Sequence, residues 1–429
     1  MFDYQRDIAR LAIKRKKFAA FVRPGMGKTL IGTEFARHAS QQLGITRNVL
    51  MLSPPMVIKQ TIEEASRFYG GSLPIQRIRA SELADWTVNG SGVGITNYEG
   101  LKPDVPRGRL GALIADESSL LKSHYGKWGQ EVIRLGKGLD WKLCLTGTPA
   151  PNDRIEFANH AVFLDAFPTI NSFLAKFFIN RGQTQERWEM KAHAAGAFYK
   201  ALSHWSIFMS SPATYGWKDN CGTIPPIEVH IHDVDMTDAQ NDQVRKLTGT
   251  LFSNHVGGIG DRSKLARIAK GGDSNKPAFI RELIESWPDE STLVWCRFND
   301  EQDRLKAEMP WAASISGDTP DHERERIIAG FQAGSIKTIL TKAKILGFGL
   351  NMQVCTRQVF SSCHDSYEEY FQAVMRSNRV GSTRPLNVHL PVTEAERQMM
   401  ENVLRKAHRV EEDTLIQERL FKEMALAAA

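Results

Sequence analysis

The sequence predicts an α/β protein built from two tandem lobes. Each is a mainly parallel sheet with helices on both faces, and a helical insertion lies between them. Three observations predict this. Short apolar runs ending in turn residues alternate with helical segments from residue 2 onward. The alternation breaks between residues 150 and 225, where aromatic and aliphatic side chains crowd together. It resumes at residue 226. The expected boundaries are 1–165 for the first lobe, 166–225 for the insertion and linker, 226–392 for the second lobe, and 393–429 for a helical tail.

Residues 2–17 have helical spacing, with Phe2, Ile8, Leu11, Ala12 and Ile13 as the apolar positions. Gln5 lies on this helix. A glutamine amide can donate and accept at once, which suits an adenine edge, although Gln5 alone fits a surface position. Lys14, Arg15, Lys16 and Lys17 suit the negative end of a helix.

Next comes the stretch FAAFVRPGMGKTLIGT, residues 18–33. It is a short apolar strand, a glycine-bearing turn and a helix start at Lys28. Gly25 and Gly27 let the backbone curl so that its N–H groups face inward, beside Pro24 and Met26. An anion can sit there, at the positive end of the following helix. Lys28 adds a charge for β- and γ-phosphates, and Thr29 a hydroxyl for Mg²⁺. The strict phosphate-loop pattern wants glycine where Val22 stands.

Strands are expected at 48–54, 92–101, 110–119 and 141–149, with a helix at 56–69. Parallel sheets bind ligands at the carboxyl ends of their strands, and each polar cluster here falls at such an end. The strand 110–119 delivers Asp116 and Glu117 there. Asp116 can hold Mg²⁺ through water, and Glu117 can position or deprotonate an attacking water.

Residues 157–178 are expected to form packed helices. Arg181, Arg187, Trp188, Lys191 and His193 then mix cations with an aromatic. That mixture can grip a nucleic-acid backbone, and a solvated helical insertion explains it equally well. In the second series, strands are expected at 227–234, 291–296, 337–342, 357–361 and 386–391. Helices are expected at 236–251, 277–287, 300–309, 321–332 and 367–380. His230 and His232 share one strand face without an acidic or thiol partner nearby in sequence, so a metal site is not expected. Arg376 and Arg379 are three residues apart, expected on one helical face with Gln372 one turn earlier. A guanidinium aimed at a γ-phosphate accelerates transfer by roughly 10³- to 10⁵-fold.

Composition narrows the classes. At 429 residues the chain can bury two or three full cores. Hydrophobic content of 42% and charged content of 24% are ordinary for a globular protein. The longest apolar runs are too short to span a bilayer, and the opening MFDYQRDIAR has no apolar signal core. Five scattered cysteines without a Cys-x-x-Cys pair argue against a zinc site or disulfide framework. A cytoplasmic protein of a prokaryotic or phage-infected cell is expected. The net charge of +6 and pI of about 9.0 permit a polyanion partner, as solvated lysines alone also would.

Taken together, these stretches resemble the superfamily 2 helicase-like ATPases, and within them the Swi/Snf-type double-stranded-DNA translocases in their compact phage and bacterial form. The resemblance runs in the family's order through most of the chain. Tyr4 and Gln5 look like its adenine-reading segment, and RPGMGKT at 23–29 like its first motif. The strand ending at Ser53 and ITNYEGL at 95–101 resemble further motifs, and ADESS at 115–119 the Asp-Glu box. LTGTPAPN at 145–152 is similar to the motif coupling nucleotide state to strand contact, which implies that role for Thr146, Gly147 and Thr148. GFGLNMQ at 347–353 resembles the fifth motif, with Gly349 near the nucleotide. QAVMRSNRVGS at 372–382 resembles the sixth, which places Gln372, Arg376 and Arg379 among its catalytic positions. Ser118 and Ser119, Asn378 and Leu346 depart from the commoner residues.

The resemblance implies two RecA-like lobes with ATP and Mg²⁺ between them, and a motor translocating on nucleic acid, double-stranded DNA by family. Two alternatives stay open: a strand-separating helicase, and an ATP-gated DNA clamp that does not travel. A membrane is not an expected partner, and no protein partner is implied.

Overall fold

The structure, a computed structural model, describes residues 1–123, 126–182, 187–218, 224–248, 259–269, 274–346, 352–362 and 366–427. The chain divides into two compact units, 1–220 with 409–429, and 221–408. Among the described residues, no helix is long and apolar enough to cross a membrane.

Unit 1 carries a seven-stranded, wholly parallel sheet. Its strands are β1 (Lys17–Val22), β2 (Asn48–Leu52), β3 (Ile75–Arg77), β4 (Val93–Thr96), β5 (Leu110–Asp116), β6 (Trp141–Thr146) and, after a small antiparallel hairpin of β7 (Phe178–Asn180) and β8 (Trp188–Met190), β9 (Ser206–Met209). The order across the sheet is β3-β4-β2-β5-β6-β1-β9. β2, β5 and β6 are buried along their whole lengths, which is why their sequences run apolar rather than alternating. The order makes β5, β6 and β1 neighbours, so their carboxyl ends open on one stretch of sheet edge.

The described residues between 166 and 218 are woven into this unit. β9 pairs in parallel with β1, and Phe173, Phe177, Phe198, Leu202 and Phe208 join one apolar core with Phe21, Ala115 and Cys144. Rings there meet edge-on, as in Phe177 against Phe198 at 5.5 Å and 82°.

Unit 2 carries a six-stranded parallel sheet of β10 (Ile227–Asp233), β11 (Thr292–Trp295), β12 (Ala313–Ser314), β13 (Thr338–Thr341), β14 (Arg357–Phe360) and β15 (Leu386–Val392), in the order β10-β15-β14-β11-β13-β12. The expected architecture of two mainly parallel sheets with surrounding helices is therefore borne out. Buried Arg357 holds the end of the helix Lys276–Glu285 and the turn after it, donating to the carbonyls of Leu283, Ile284 and Trp287. His230 bonds Asn387, and His232 bonds His389 at 2.9 Å. Burial, together with His230 and His232, pushes His389 down to about 3. His389 is thus neutral within a stack of three rings between β10 and β15, and no metal-binding cluster of His, Cys, Asp and Glu occurs among the described residues.

One expected element is shorter than the sequence suggests. The helix predicted over 367–380 ends at Val374. Buried Gln358 on β14 donates to the carbonyls of Ala373 at 3.1 Å and Val374 at 3.5 Å at this end, beside their backbone donors. Backbone bonding there becomes mixed, with Arg376 N–H to Ala373, and both Ser377 and Asn378 N–H to Val374. Arg376 and Arg379 therefore stand on irregular chain rather than on one helical face.

Candidate functional site

β1 ends at Val22, and the chain turns through residues 23–27 into the helix Lys28–Leu43. Gly25 and Gly27 take φ of 85° and 76°, the left-handed region that glycine enters without cost. At Gly27 a Cβ would also lie 2.2 Å from Gln5 Nε2. That close approach arises because the helix Asp3–Arg15 lays Tyr4 and Gln5 over the turn. The Tyr4 hydroxyl and the Gln5 amide donate to the Met26 carbonyl at 3.1 and 3.2 Å. Gln5, a surface residue by the simplest reading of its sequence, is 4% exposed. Lys28 Nζ folds back to the Val22 carbonyl at 3.3 Å. Pro24, Lys28 and Thr29 are half-buried, so all six predicted residues of this turn cluster at the end of β1.

Asp116 closes β5 and is buried. One of its oxygens accepts from Ser53 Oγ at 3.0 Å, and the other from the Glu117 N–H at 3.0 Å. The Tyr98 hydroxyl holds the Asp116 carbonyl at 2.6 Å. Burial first, then the Glu117 charge, raises the Asp116 carboxyl to about 7, against the pull of Lys28, Ser53 and the Glu117 amide. The Lys28 field thus reaches Asp116 from the neighbouring turn.

Glu117 stands at φ 47°, ψ 50°, a left-handed conformation costing a non-glycine residue about 1–2 kcal/mol. Local strain of this kind clusters at working sites. The twist lets its own amide bind Asp116, and its carboxylate accepts from Thr146 Oγ1 at 3.4 Å. Thr146 also accepts from the Thr148 N–H at 3.2 Å. A Cβ on Gly147 would meet Pro24 Cδ at 2.6 Å, so this turn lies directly against the glycine turn. Beneath them His160 shares a buried bond with Ser118 at 3.1 Å, and burial pushes it down to about 4, leaving it neutral.

The structure therefore brings Gln5, Pro24, Gly25, Met26, Gly27, Lys28, Thr29, Asp116, Glu117, Thr146, Gly147 and Thr148 to one edge of the unit 1 sheet. In unit 2, Gln372 lies on the helix Tyr367–Val374. Buried Arg376 points Nη2 at the Ala343 carbonyl, 3.5 Å away, and Arg379 is half-buried. Gly349 lies outside the described residues.

Sequence reasoning assigned no role to Ser53 and Tyr98, which hold Asp116 from behind, or to His160, which bonds the neighbouring Ser118. For Ser53 a signal existed, since it follows the buried strand β2, which lies beside β5 and its Asp116. His160, on a helix, had none.

Comparison with known proteins adds to this geometry. Residues 275–381 match the family model described as the helicase conserved C-terminal domain. ATP-dependent helicase fft1 of Schizosaccharomyces pombe is 28% identical over 142 residues, 32% of this chain. The aligned stretch spans only 15% of that relative's length. The fold is also similar to the Sulfolobus solfataricus SWI2/SNF2 ATPase core in complex with dsDNA, at 20% identity and a TM-score of 0.43, covering 98% of this chain and 96% of that one. The same core domain solved separately gives 20% identity and 0.43, with 92% and 87% covered. The family match and the fft1 relative bear out the resemblance, drawn from the motifs, to helicase-like ATPases.

Proposed function

We propose that the chain hydrolyses ATP and uses the cycle to translocate on nucleic acid, double-stranded DNA in particular. The observation that carries this is the meeting of three strand ends. A glycine turn with a lysine, a buried carboxylate with a strained acidic neighbour, and a threonine turn packed on both are the parts phosphoryl transfer needs.

In this reading the N–H groups of residues 25–29 and the Lys28 ammonium cradle the phosphates. Gln5 and Tyr4 shape the adenine side. Thr29 and Asp116 would hold Mg²⁺, a group that fits here. Asp116 is a buried carboxylate with two neutral donors and a raised affinity for protons, and a divalent cation supplies the missing positive charge. When bound, the ion neutralises charge developing on the phosphate oxygens. Glu117 orients the attacking water and takes its proton. Thr146, Gly147 and Thr148 pass the state of the site to the strand-binding surface. Arg376 and Arg379 stabilise charge in the transition state with Gln372. The proposed organisation keeps the boundaries of the sequence: an ATP lobe over 1–165, an insertion over 166–225, a second lobe over 226–392 and a tail.

One comparison tests the proposal, ATP turnover with single-stranded DNA, duplex DNA and RNA side by side. Stimulation by duplex DNA, rising with its length and displacing a triplex strand, supports translocation. Stimulation without length dependence makes the chain a clamp, and unwinding of a labelled duplex makes it a strand-separating helicase. No turnover with any polymer ends the reading.

Gly27→Ala offers a narrower check. The added methyl needs left-handed backbone and displaces the Gln5 amide. ATP affinity is expected to fall by roughly tenfold, the equivalent of about 1.4 kcal/mol. Preference for ATP over GTP should shrink with it, measured by competition with a fluorescent nucleotide.

A further inference from the structure

The helix Glu394–Ala427 ends in unit 1, where residues from Arg409 onward are seated. Asp413, 6% exposed, accepts from Arg154 at 2.7 Å and from the Tyr199 hydroxyl at 2.6 Å. Gln417 bonds Ser203 and the Tyr199 carbonyl, and Glu418 accepts the Ser210 N–H. Ile416 and Leu420 pack on the unit's main core. These contacts fasten the helix. Arg409 does something else.

Its Nη1 donates to the Asn152 carbonyl at 2.6 Å, and Nη2 to the Ala150 carbonyl at 2.8 Å. Both carbonyls belong to the turn leaving β6. The same turn carries Thr146, bonded to Glu117, and Gly147, packed on Pro24. A planar guanidinium with donors in a fixed fork suits two carbonyls of one irregular turn, and it sets their spacing in a way that a lysine cannot.

We propose that Arg409 is a positioning residue for ATP hydrolysis. From the far end of the sequence it fixes the 146–152 turn, and through Thr146 the orientation of Glu117. The inference rests on the ATPase reading above. Arg409 touches neither the glycine turn nor Asp116 in the structure, so its loss acts on turnover rather than on nucleotide binding. The helix itself stays seated through Asp413, Gln417, Glu418, Ile416 and Leu420.

The test uses the full chain with duplex DNA and compares wild type, Arg409→Ala, Arg409→Lys and the control Leu415→Ala, an exposed position on the same helix. Arg409→Ala is expected to lower kcat by about 3- to 30-fold, the range of coupling through packed networks. KM for ATP should change less than about twofold, the unfolding midpoint should hold, and Arg409→Lys should recover part of the rate. In single-turnover measurements, adding Arg409→Ala to Glu117→Gln should cost little more than Glu117→Gln alone, because both act on one group. An unchanged kcat overturns the proposal. So does a rate loss that tracks a falling unfolding midpoint, or one that multiplies in full with that of Glu117→Gln. A wild-type chain without turnover defeats the ATPase reading first and the positioning role with it.

Discussion

Glu117→Gln is expected to lower nucleic-acid-stimulated ATP turnover by about 10²- to 10⁴-fold, the usual contribution of a positioned general base. The substitution keeps the shape of the side chain and leaves an oxygen to accept from Thr146. It leaves the left-handed backbone, the Ser53 bond and the amide bond to Asp116 in place. The negative charge goes, and with it the ability to take a proton and the Glu117 contribution that raises the Asp116 carboxyl. ATP affinity should therefore stay near wild type, and the bound nucleotide should persist unhydrolysed. Fluorescent nucleotide titration and steady-state phosphate release separate the two quantities. Turnover within a few-fold of wild type withdraws the role given to Glu117.

Arg379→Ala carries the other large expectation, a loss of about 10³- to 10⁵-fold in kcat, which is about 4–7 kcal/mol of barrier. An exposed ion pair is worth about 0–1 kcal/mol, so the two explanations of this arginine differ by orders of magnitude in rate. The position suits the test better than Arg376 does. Arg376 is buried against the Ala343 carbonyl, and its removal disturbs the packing of unit 2 as well. Arg379 is half-buried on the turn after the helix Tyr367–Val374, so its truncation should leave the unfolding midpoint nearly unchanged. Arg379→Lys should rescue poorly, because a point charge does not reproduce a planar fork. A loss under tenfold removes Arg379 from the chemistry.

Much of this arrangement was legible in the chain. β1, β2, β5 and β6 announce themselves as apolar runs that end in polar turns, and the site residues sit in those turns. What escaped has physical reasons. β3 buries one residue of three and offers no pattern. β9 follows a helix directly, with no turn residue between Trp205 and Ser206 to mark a change. The helix ends at Val374 with no glycine or proline in Met375–Val380 to mark it, so no local signal records that end. Glu117 carries its strain in backbone angles, which the residue type does not betray. Arg409, Asp413 and Glu418 look like the solvated face of a charged tail, yet the fold turns them inward. Charges that find partners across some 200 residues, as Glu418 does with Ser210, are invisible to periodicity.

The split make-up of unit 1 bears on how it is manufactured. A ribosome emits residues 409–427 only after the 188 residues of 221–408 (408 − 220 = 188), a delay of about 10–40 s at ordinary elongation rates. Throughout that interval the hollow awaiting Ile416 and Leu420 is bare, an invitation to chaperones. Anyone excising the first 220 residues as a stand-alone fragment inherits the same bare hollow permanently, whereas grafting 409–427 back through a short tether should restore solubility.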